Sequence, residues 1–506
     1  MSGGQVEVER AQVERAHVEW ARGLADAGRL DEALALLEPT TARADAPWQA
    51  LSVHADIAKR AGRLADSAAL SQRLVAARPQ SVPARHNLAS TLGDMGRAAE
   101  AETACRQAMA IGGDAPETWL VLGRALQAQS RFDGAEDAYR QALARRAGYE
   151  EALRDLSQLI WMRDADLNAA VAPLDVAIAA APGQAGLRRI KARLLEYAGE
   201  IEGAYRTLVG GALDGPGELA AAQACLALDP RRALDHANRA AALAGGAVPA
   251  VMATQAECLL ALGRAEAALE PIAALRAREP LNQHVLAHQA TAWRMLGDPR
   301  YGQLYDYDAF VRPYRLATPV GWATLEDYLA DLAQALNALH TLKTHPVGQS
   351  LRGGSQTAAS LTQSDHPAIR AFFTAIDAPI RAYMKAVGQG DDPLRTRNTG
   401  EYRIKGSWSV RLRPNGFHAD HIHSDGWLSS ACHIALPPAI TGGTGEGREG
   451  WLRFGAPPSL PGLKAEHHVQ PQPGTLVLFP SYMWHGTQPF GGEASRLTLA
   501  FDIVPA

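Results

Sequence analysis

Three of the chain's 16 histidines fall within six residues, His418-Ala419-Asp420-His421-Ile422-His423, where an even spread would place one per about 32 residues. On a strand, residues two apart point to the same side, so an HxH or HxD pair can grip one ion. His485 follows the apolar run GTLVLFP, and eleven residues later Arg496 opens the run RLTLAF. A third imidazole would complete a three-ligand set that leaves coordination positions open. An arginine fork binds a carboxylate through two parallel hydrogen bonds, and the Thr498 hydroxyl two residues on can share that load. Two pairs compete for the ion: His418 with Asp420, which spells HxD, and His421 with His423. If the strand is regular here, the pairs face opposite sides and only one can serve. Residue types and spacing thus give a metal site and an anion site, with the register open.

Those residues need strands to hold them. From about Tyr402 onward the hydrophobic period is two: YRIKGSWSVRL, GWLSSACHIAL, GWLRFG, GTLVLFP and RLTLAFDIV read as short strands separated by Pro, Gly and Asn turns. Strands with no helix between them predict an antiparallel barrel or sandwich. We place this domain at 346–506, its β core at about 400–506, with a helical connector at 301–345. Trp408, Ser409 and Arg411 precede the ligand segment and are expected to line the pocket. His433 and the pair His467-His468 read as packing and loop residues. The Gly-rich run 442–447 lacks a phosphate-binding pattern and reads as a flexible loop, a candidate lid over the site.

Residues 1–300 differ in kind. They are rich in Ala, Leu, Arg and Glu, which favours helix. AGRLDEAL (27–34), AGRLADSA (61–68), MGRAAEAE (95–102) and QSRFDGAE (129–136) share one frame. Their small residues Ala33, Ser67, Ala101 and Ala135 recur every 34 residues, Ala170 and Ala204 continue the series, and Ala268 returns to it. Trp119, Leu122, Gly123, Phe132, Ala135, Tyr139 and Ala142 form the fullest unit. Pro79, Pro182, Pro216, Pro230 and Pro280 are expected to stop the second helix of a repeat, and the register slips between Pro216 and Ala240.

This period and residue set resemble the tetratricopeptide repeat (TPR). The order HxH or HxD, then His485, then Arg496 resembles the double-stranded β-helix oxygenases that use iron(II) and 2-oxoglutarate. The runs YDYDAFVRPYRL, HPVGQSLRGGSQT, GSWSVRLRPNGFHADHIHSDGWLSSACHIALP and PGTLVLFPSYMWHGTQPF are similar to bacterial proteins that join tetratricopeptide repeats to such an oxygenase domain. The resemblance implies an all-α TPR solenoid followed by a mainly β, jelly-roll or cupin-like double-stranded β-helix with flanking helices. It implies Fe(II) on His421, His423 and His485, with 2-oxoglutarate on Arg496 and Thr498 as co-substrate. The family pattern, HxHP before the strand WLSSACHIAL, favours the His421/His423 register, although Ser424 stands where Pro is expected. A histidine in the third ligand position would make the site all-histidine and neutral, weakening its hold on Fe(II).

The leading expectation is a dioxygenase that hydroxylates a protein or peptide recruited by the repeats, since a small metabolite needs no 300-residue arm. The rivals are a non-catalytic TPR scaffold whose barrel is a binding module, and a cupin-like metal protein without 2-oxoglutarate. A net charge of −4, with no basic stripe, argues against nucleic acid or anionic membrane as partner. No apolar run reaches the roughly 18 residues of a membrane span. Cys105, Cys225, Cys258 and Cys432 are scattered and read as small buried hydrophobes. Their lack of a disulfide framework, and an N-terminus without an apolar signal core, point to the cytoplasm.

Overall fold

The computed structural model describes residues 3–441, 447–460 and 462–506, with side chains from residue 10. The chain falls into two compact units, Met1–Leu159 and Ile160–Ala506.

In the first unit, antiparallel helix pairs repeat. Pro116–Ala128 packs on Phe132–Arg145, and the pairs before it follow the same plan. Ala33, Ser67, Ala101 and Ala135 are buried at the helix crossings, as their 34-residue spacing requires. Gly123 lies directly under Tyr139: a Cβ there would sit 2.5 Å from the ring. The turns inside the pairs repeat as well, because left-handed residues recur at Gly28, Gly62, Gly96 and Ser130. Glycine takes that conformation without steric cost, whereas Ser130 is strained.

The hairpin pattern recurs in the second unit up to the helix Gln283–Leu296, with Ala170, Ala204 and Ala268 again buried. Two expectations change there. Pro216 and Pro230 open the helices Gly215–Cys225 and Pro230–Ala244 instead of closing others. A proline in the first turn forfeits no hydrogen bond, and Asp214 and Asp229 cap these helices from outside. The slip near Pro216 is therefore a short pair whose connection lacks the left-handed residue.

The rest of this unit is a β domain. Its strands are β1 (Arg312–Arg315), β2 (Leu351–Gln356), β3 (Tyr402–His418), β4 (Leu428–Ala435), β5 (Leu452–Phe454), β6 (His467–Val469), β7 (Thr475–Pro480), β8 (His485–Thr487) and β9 (Arg496–Pro505). They form two antiparallel sheets, a six-stranded one ordered β1-β7-β4-β9-β3-β2 and a three-stranded one ordered β6-β5-β8. Phe454 of the small sheet meets Phe479 of the large one, with ring centroids 5.0 Å apart.

Period-two alternation decides what each face of the large sheet does. Leu497, Leu499, Phe501 and Ile503 of β9 share a core with Leu428, Cys432 and Ile434 of β4. The helices Leu325–Ala338, Pro367–Ala375 and Asp377–Val387 cover that face. Burying a side chain such as Phe501 is worth about 2–3 kcal/mol. The other face carries Arg496, Thr498, Ala500 and Asp502, registered against Leu412, Val410 and Trp408 of β3 and against His433 and Ser429 of β4. Helix Gln283–Leu296 joins the same core through Leu286, Ala287 and Ala290. All four cysteines are buried and free. Among the described residues, no helix is long and apolar enough to cross a membrane.

Candidate metal centre

β3 ends at His418, and the following segment is held by one antiparallel bridge between His421 and His485. His421 N donates to His485 O at 2.9 Å, and His485 N donates to His421 O at 3.0 Å. This reciprocal pair puts the two imidazoles side by side, with ring centroids 4.2 Å apart. Gly486 makes the approach possible, since a Cβ there would meet Asp420 Oδ1 at 2.6 Å and His418 O at 2.8 Å. His423 lies two residues beyond His421, 5.1 Å from each of the other rings. One ligand atom from each of the three histidines lies within 4.8 Å of the others, a set that can hold a metal ion.

The outward nitrogens fix the inward ones. His421 Nδ1 donates to Ala419 O at 2.8 Å and His485 Nδ1 to Met483 O at 2.9 Å. A carbonyl only accepts, so each Nδ1 carries the proton and each Nε2 presents a lone pair. His423 Nδ1 faces Asp502 Oδ1 at 2.6 Å, and the Ser429 hydroxyl donates to the same oxygen at 2.9 Å. His421 Nε2 and His423 Nε2 lie 3.1 Å apart, close to the spacing of two nitrogens on one tetrahedral metal ion. Burial pushes His421 down to about 3 and holds His485 well below the ordinary imidazole range, so both stay neutral and competent as ligands.

The competing pair is placed differently. Asp420 turns to Arg453 of β5, with Arg453 Nε 3.0 Å from its Oδ1. Burial raises its carboxyl above the usual range despite that partner. His418 does not lie on an opposite face, because the regular strand ends there. Its ring stacks on His421 at 5.9 Å, and Ser350 Oγ sits 3.0 Å from His418 Nδ1 and 3.1 Å from His421 Nε2.

Arg496 is buried to 2% exposure, and among the described residues no carboxylate pairs with it. Its Nη1 donates to Gly450 O at 2.6 Å and its Nη2 lies 3.3 Å from His433 Nδ1. Arg496 Nε and His433 Nε2 are buried without a partner. Burial pushes the guanidinium down to about 10, so it remains cationic at neutral pH. A buried cation that no carboxylate pairs, with its own Nε and the adjacent His433 Nε2 unsatisfied, is chemically suited to take a small anion. Thr498 is registered across from His433 and lies one alternation along β9 from Arg496.

Of the three residues expected to line the pocket, Trp408 lies beside His423, with ring centroids 5.7 Å apart. Ser409 and Arg411 alternate to the other side of β3 and bond to His340. His433, expected as a packing residue, is fully buried and lies beside Arg496. Asp502 and Ser350 were not singled out at all. Asp502 was within reach of the sequence, since Arg496, Thr498 and Asp502 share one face of a period-two strand. Ser350 comes from a distant segment and left no such signal. The Gly-rich candidate lid lies outside the described residues, apart from its last residue, Gly447.

Comparison with known proteins agrees with this division. Residues 406–502, which hold the three histidines and Arg496, match the family described as "Putative 2OG-Fe(II) oxygenase". Residues 80–148 match the tetratricopeptide repeat. Among curated proteins none matches the chain. Solved structures with partial similarity include a tetratricopeptide repeat protein from Parabacteroides merdae, 15% identical, covering 49% of this chain and 99% of its own, with a TM-score of 0.35. TTC0263, a TPR protein of Thermus thermophilus, is 22% identical and covers 36% of this chain and 99% of its own, with a TM-score of 0.31. MamA from Desulfovibrio magneticus is 13% identical and covers 34% and 96%, with a TM-score of 0.31. The chain thus carries tetratricopeptide repeats and, at its C-terminal end, a domain of the putative 2OG-Fe(II) oxygenase family.

Proposed function

We propose that the protein is an Fe(II)- and 2-oxoglutarate-dependent dioxygenase that hydroxylates a protein or peptide recruited by its repeats. The observation that carries this reading is the convergence of three imidazoles whose outer nitrogens are engaged, in a β domain that also buries an arginine paired with no carboxylate among the described residues.

The donor set fits the implied groups. His421, His423 and His485 would hold Fe(II), leaving positions open for co-substrate and O2. Asp502 behind His423 returns negative charge that an all-histidine set lacks, as an outer carboxylate does for a metal-bound imidazole. Arg496 would take the distal carboxylate of 2-oxoglutarate, with Arg496 Nε and the Thr498 hydroxyl as further donors. When bound, iron and 2-oxoglutarate supply the activation of O2, coupled to loss of CO2 from the co-substrate. The chain's own part is to orient both, and burial around Arg496 strengthens its electrostatic grip. We take the β domain as the oxygenase domain, with β1 and helix Leu325–Ala338 making the expected connector 301–345 part of it and not a separate link, and 1–300 as the recruiting array, working in the cytoplasm.

Succinate formation from 2-oxoglutarate by the Fe(II)-loaded full chain tests the reading. We expect slow turnover alone and faster turnover when cell extract supplies a substrate. No succinate under either condition, from folded and metal-loaded protein, would leave the β domain as a binding module on a scaffold.

A further inference from the structure

A second cluster lies outside the candidate centre. His284 and His288 sit one turn apart on helix Gln283–Leu296, so both face the neighbouring helix Pro249–Ala261. From that helix Glu257 reaches between them. Its Oε1 is 3.1 Å from His284 Nε2 and 3.0 Å from His288 Nε2, and the three ligand atoms lie within 4.8 Å of one another. We propose that Glu257, His284 and His288 form a second metal site that takes a Zn(II)-class divalent ion, with water as its fourth ligand.

The chemistry fits. Two imidazoles spaced HxxxH on one helix, with a carboxylate from its neighbour, are ligands zinc accepts. With metal–ligand bonds of about 2.0–2.1 Å, the edges of a tetrahedral site are roughly 3.3 Å. The two edges to Glu257, 3.0 and 3.1 Å, need to open by only a few tenths of an ångström, and the third edge, between the two histidines, lies within 4.8 Å. Burial works against charge on Glu257, but hydrogen bonds from both histidines overcome it and hold the carboxyl well below its ordinary range. The site therefore already contains an anion, and a bound ion would take the place of the Nε2 protons, each histidine keeping its proton on Nδ1 or releasing it to solvent. The His288 side chain is buried, whereas His284 is 38% exposed, which gives an ion and its water a route in.

The location suggests what the ion does. The His288 ring lies 5.8 Å from Trp484, and Trp484 Nε1 donates to Thr291 Oγ1 on the same helix at 3.0 Å. Trp484 immediately precedes His485. An ion here would clamp two helices of the last repeats and stiffen the support of the residue beside the candidate centre. The inference does not depend on the oxygenase reading, because its ligands are separate.

The test uses Zn(II) alone and the full chain in a His421→Ala/His485→Ala background, where the first centre is removed. Calorimetry should show one remaining ion per chain with a Kd below about 1 µM, and Zn(II) should raise its Tm by several degrees. Adding His284→Gln should weaken that binding at least about tenfold and abolish the Tm shift. His284 is partly exposed, so this variant keeps the fold even if Glu257→Gln does not. No ion bound in the background protein, or an ion retained unchanged after His284→Gln, would overturn the proposal and leave a hydrogen-bonded His–Glu–His contact.

Discussion

Replacing Asp502 by Asn removes one charge from behind the candidate centre while keeping an oxygen for His423 and Ser429. The path from that charge to a bound ion can be laid out. His423 Nδ1 is 2.6 Å from Asp502 Oδ1. Adding roughly 2.2 Å across the ring and about 2.1 Å for a metal–nitrogen bond puts the carboxylate about 6.9 Å from the ion. For a dication, Coulomb's law then gives about 4.8 kcal/mol at an effective dielectric of about 20 and about 1.2 kcal/mol at about 80. Outer-shell carboxylates behind metal-bound histidines are worth about 10- to 100-fold in affinity, roughly 1.4–2.7 kcal/mol, within that bracket. Anaerobic Fe(II) titration by calorimetry is the assay, with Co(II) as a redox-inert check. Asp502→Asn should raise Kd about 10- to 100-fold. Asp420→Asn, which only breaks the pair with Arg453, should change it less than about threefold. Wild-type affinity in Asp502→Asn, or an equal loss in Asp420→Asn, would refute the assignment of His421, His423 and His485 as the ligands.

Three further outcomes follow from the same geometry. Arg496→Met should weaken 2-oxoglutarate binding by about 100-fold, measured on Co(II)-loaded protein, and leave the metal Kd unchanged, because the lost contact is a charge-assisted fork; unchanged co-substrate affinity would contradict the anion site. Acid should destabilise the second unit: burial, aided by Arg411 and Arg352 respectively, holds His340 and His345 down to about 4. A lowered histidine pKa means that the unfolded chain takes up the protons first. Stability is therefore full above about pH 6.5 and falls below it, by about 1 kcal/mol per histidine at about pH 5.5. Urea midpoints of wild type and His340→Gln/His345→Gln at the two pH values check this, and equal pH slopes would contradict it. A fragment starting at residue 301 loses the Leu286, Ala287 and Ala290 packing and the Thr291 hydrogen bond to Trp484. It should melt lower and aggregate sooner than one starting at residue 160, as read by thermal melts of both.

The repeats were legible because one spacing carries them: a small residue every 34 positions predicts its own burial at a helix crossing. The same signal misled at Pro216 and Pro230, since a proline that ends one helix and one that begins the next look alike without their neighbours. In the β domain, alternation gave the strands and the order of His421, His423, His485 and Arg496. It could not give the register of 418–423, because the regular strand ends at His418 and the segment beyond it leaves the sheet. Once the chain turns, period two no longer states which side chains face together. Ser350 and the unpaired nitrogens of Arg496 and His433 depend on contacts between distant segments, which no local pattern encodes. The Glu257 cluster was invisible for a similar reason: HxxxH on one helix gains meaning only when the neighbouring helix supplies the carboxylate.

The most direct test of the central claim is anaerobic addition of Fe(II) and then 2-oxoglutarate to the full chain, followed by visible absorption. Bidentate binding of the 2-oxo acid to iron produces a weak charge-transfer band. The account predicts that this band develops in wild type with one equivalent of Fe(II) at the triad, is lost in His421→Ala, and is absent in Arg496→Met at co-substrate levels that saturate the wild type. Folded, iron-loaded wild type that shows no band at millimolar 2-oxoglutarate would contradict it.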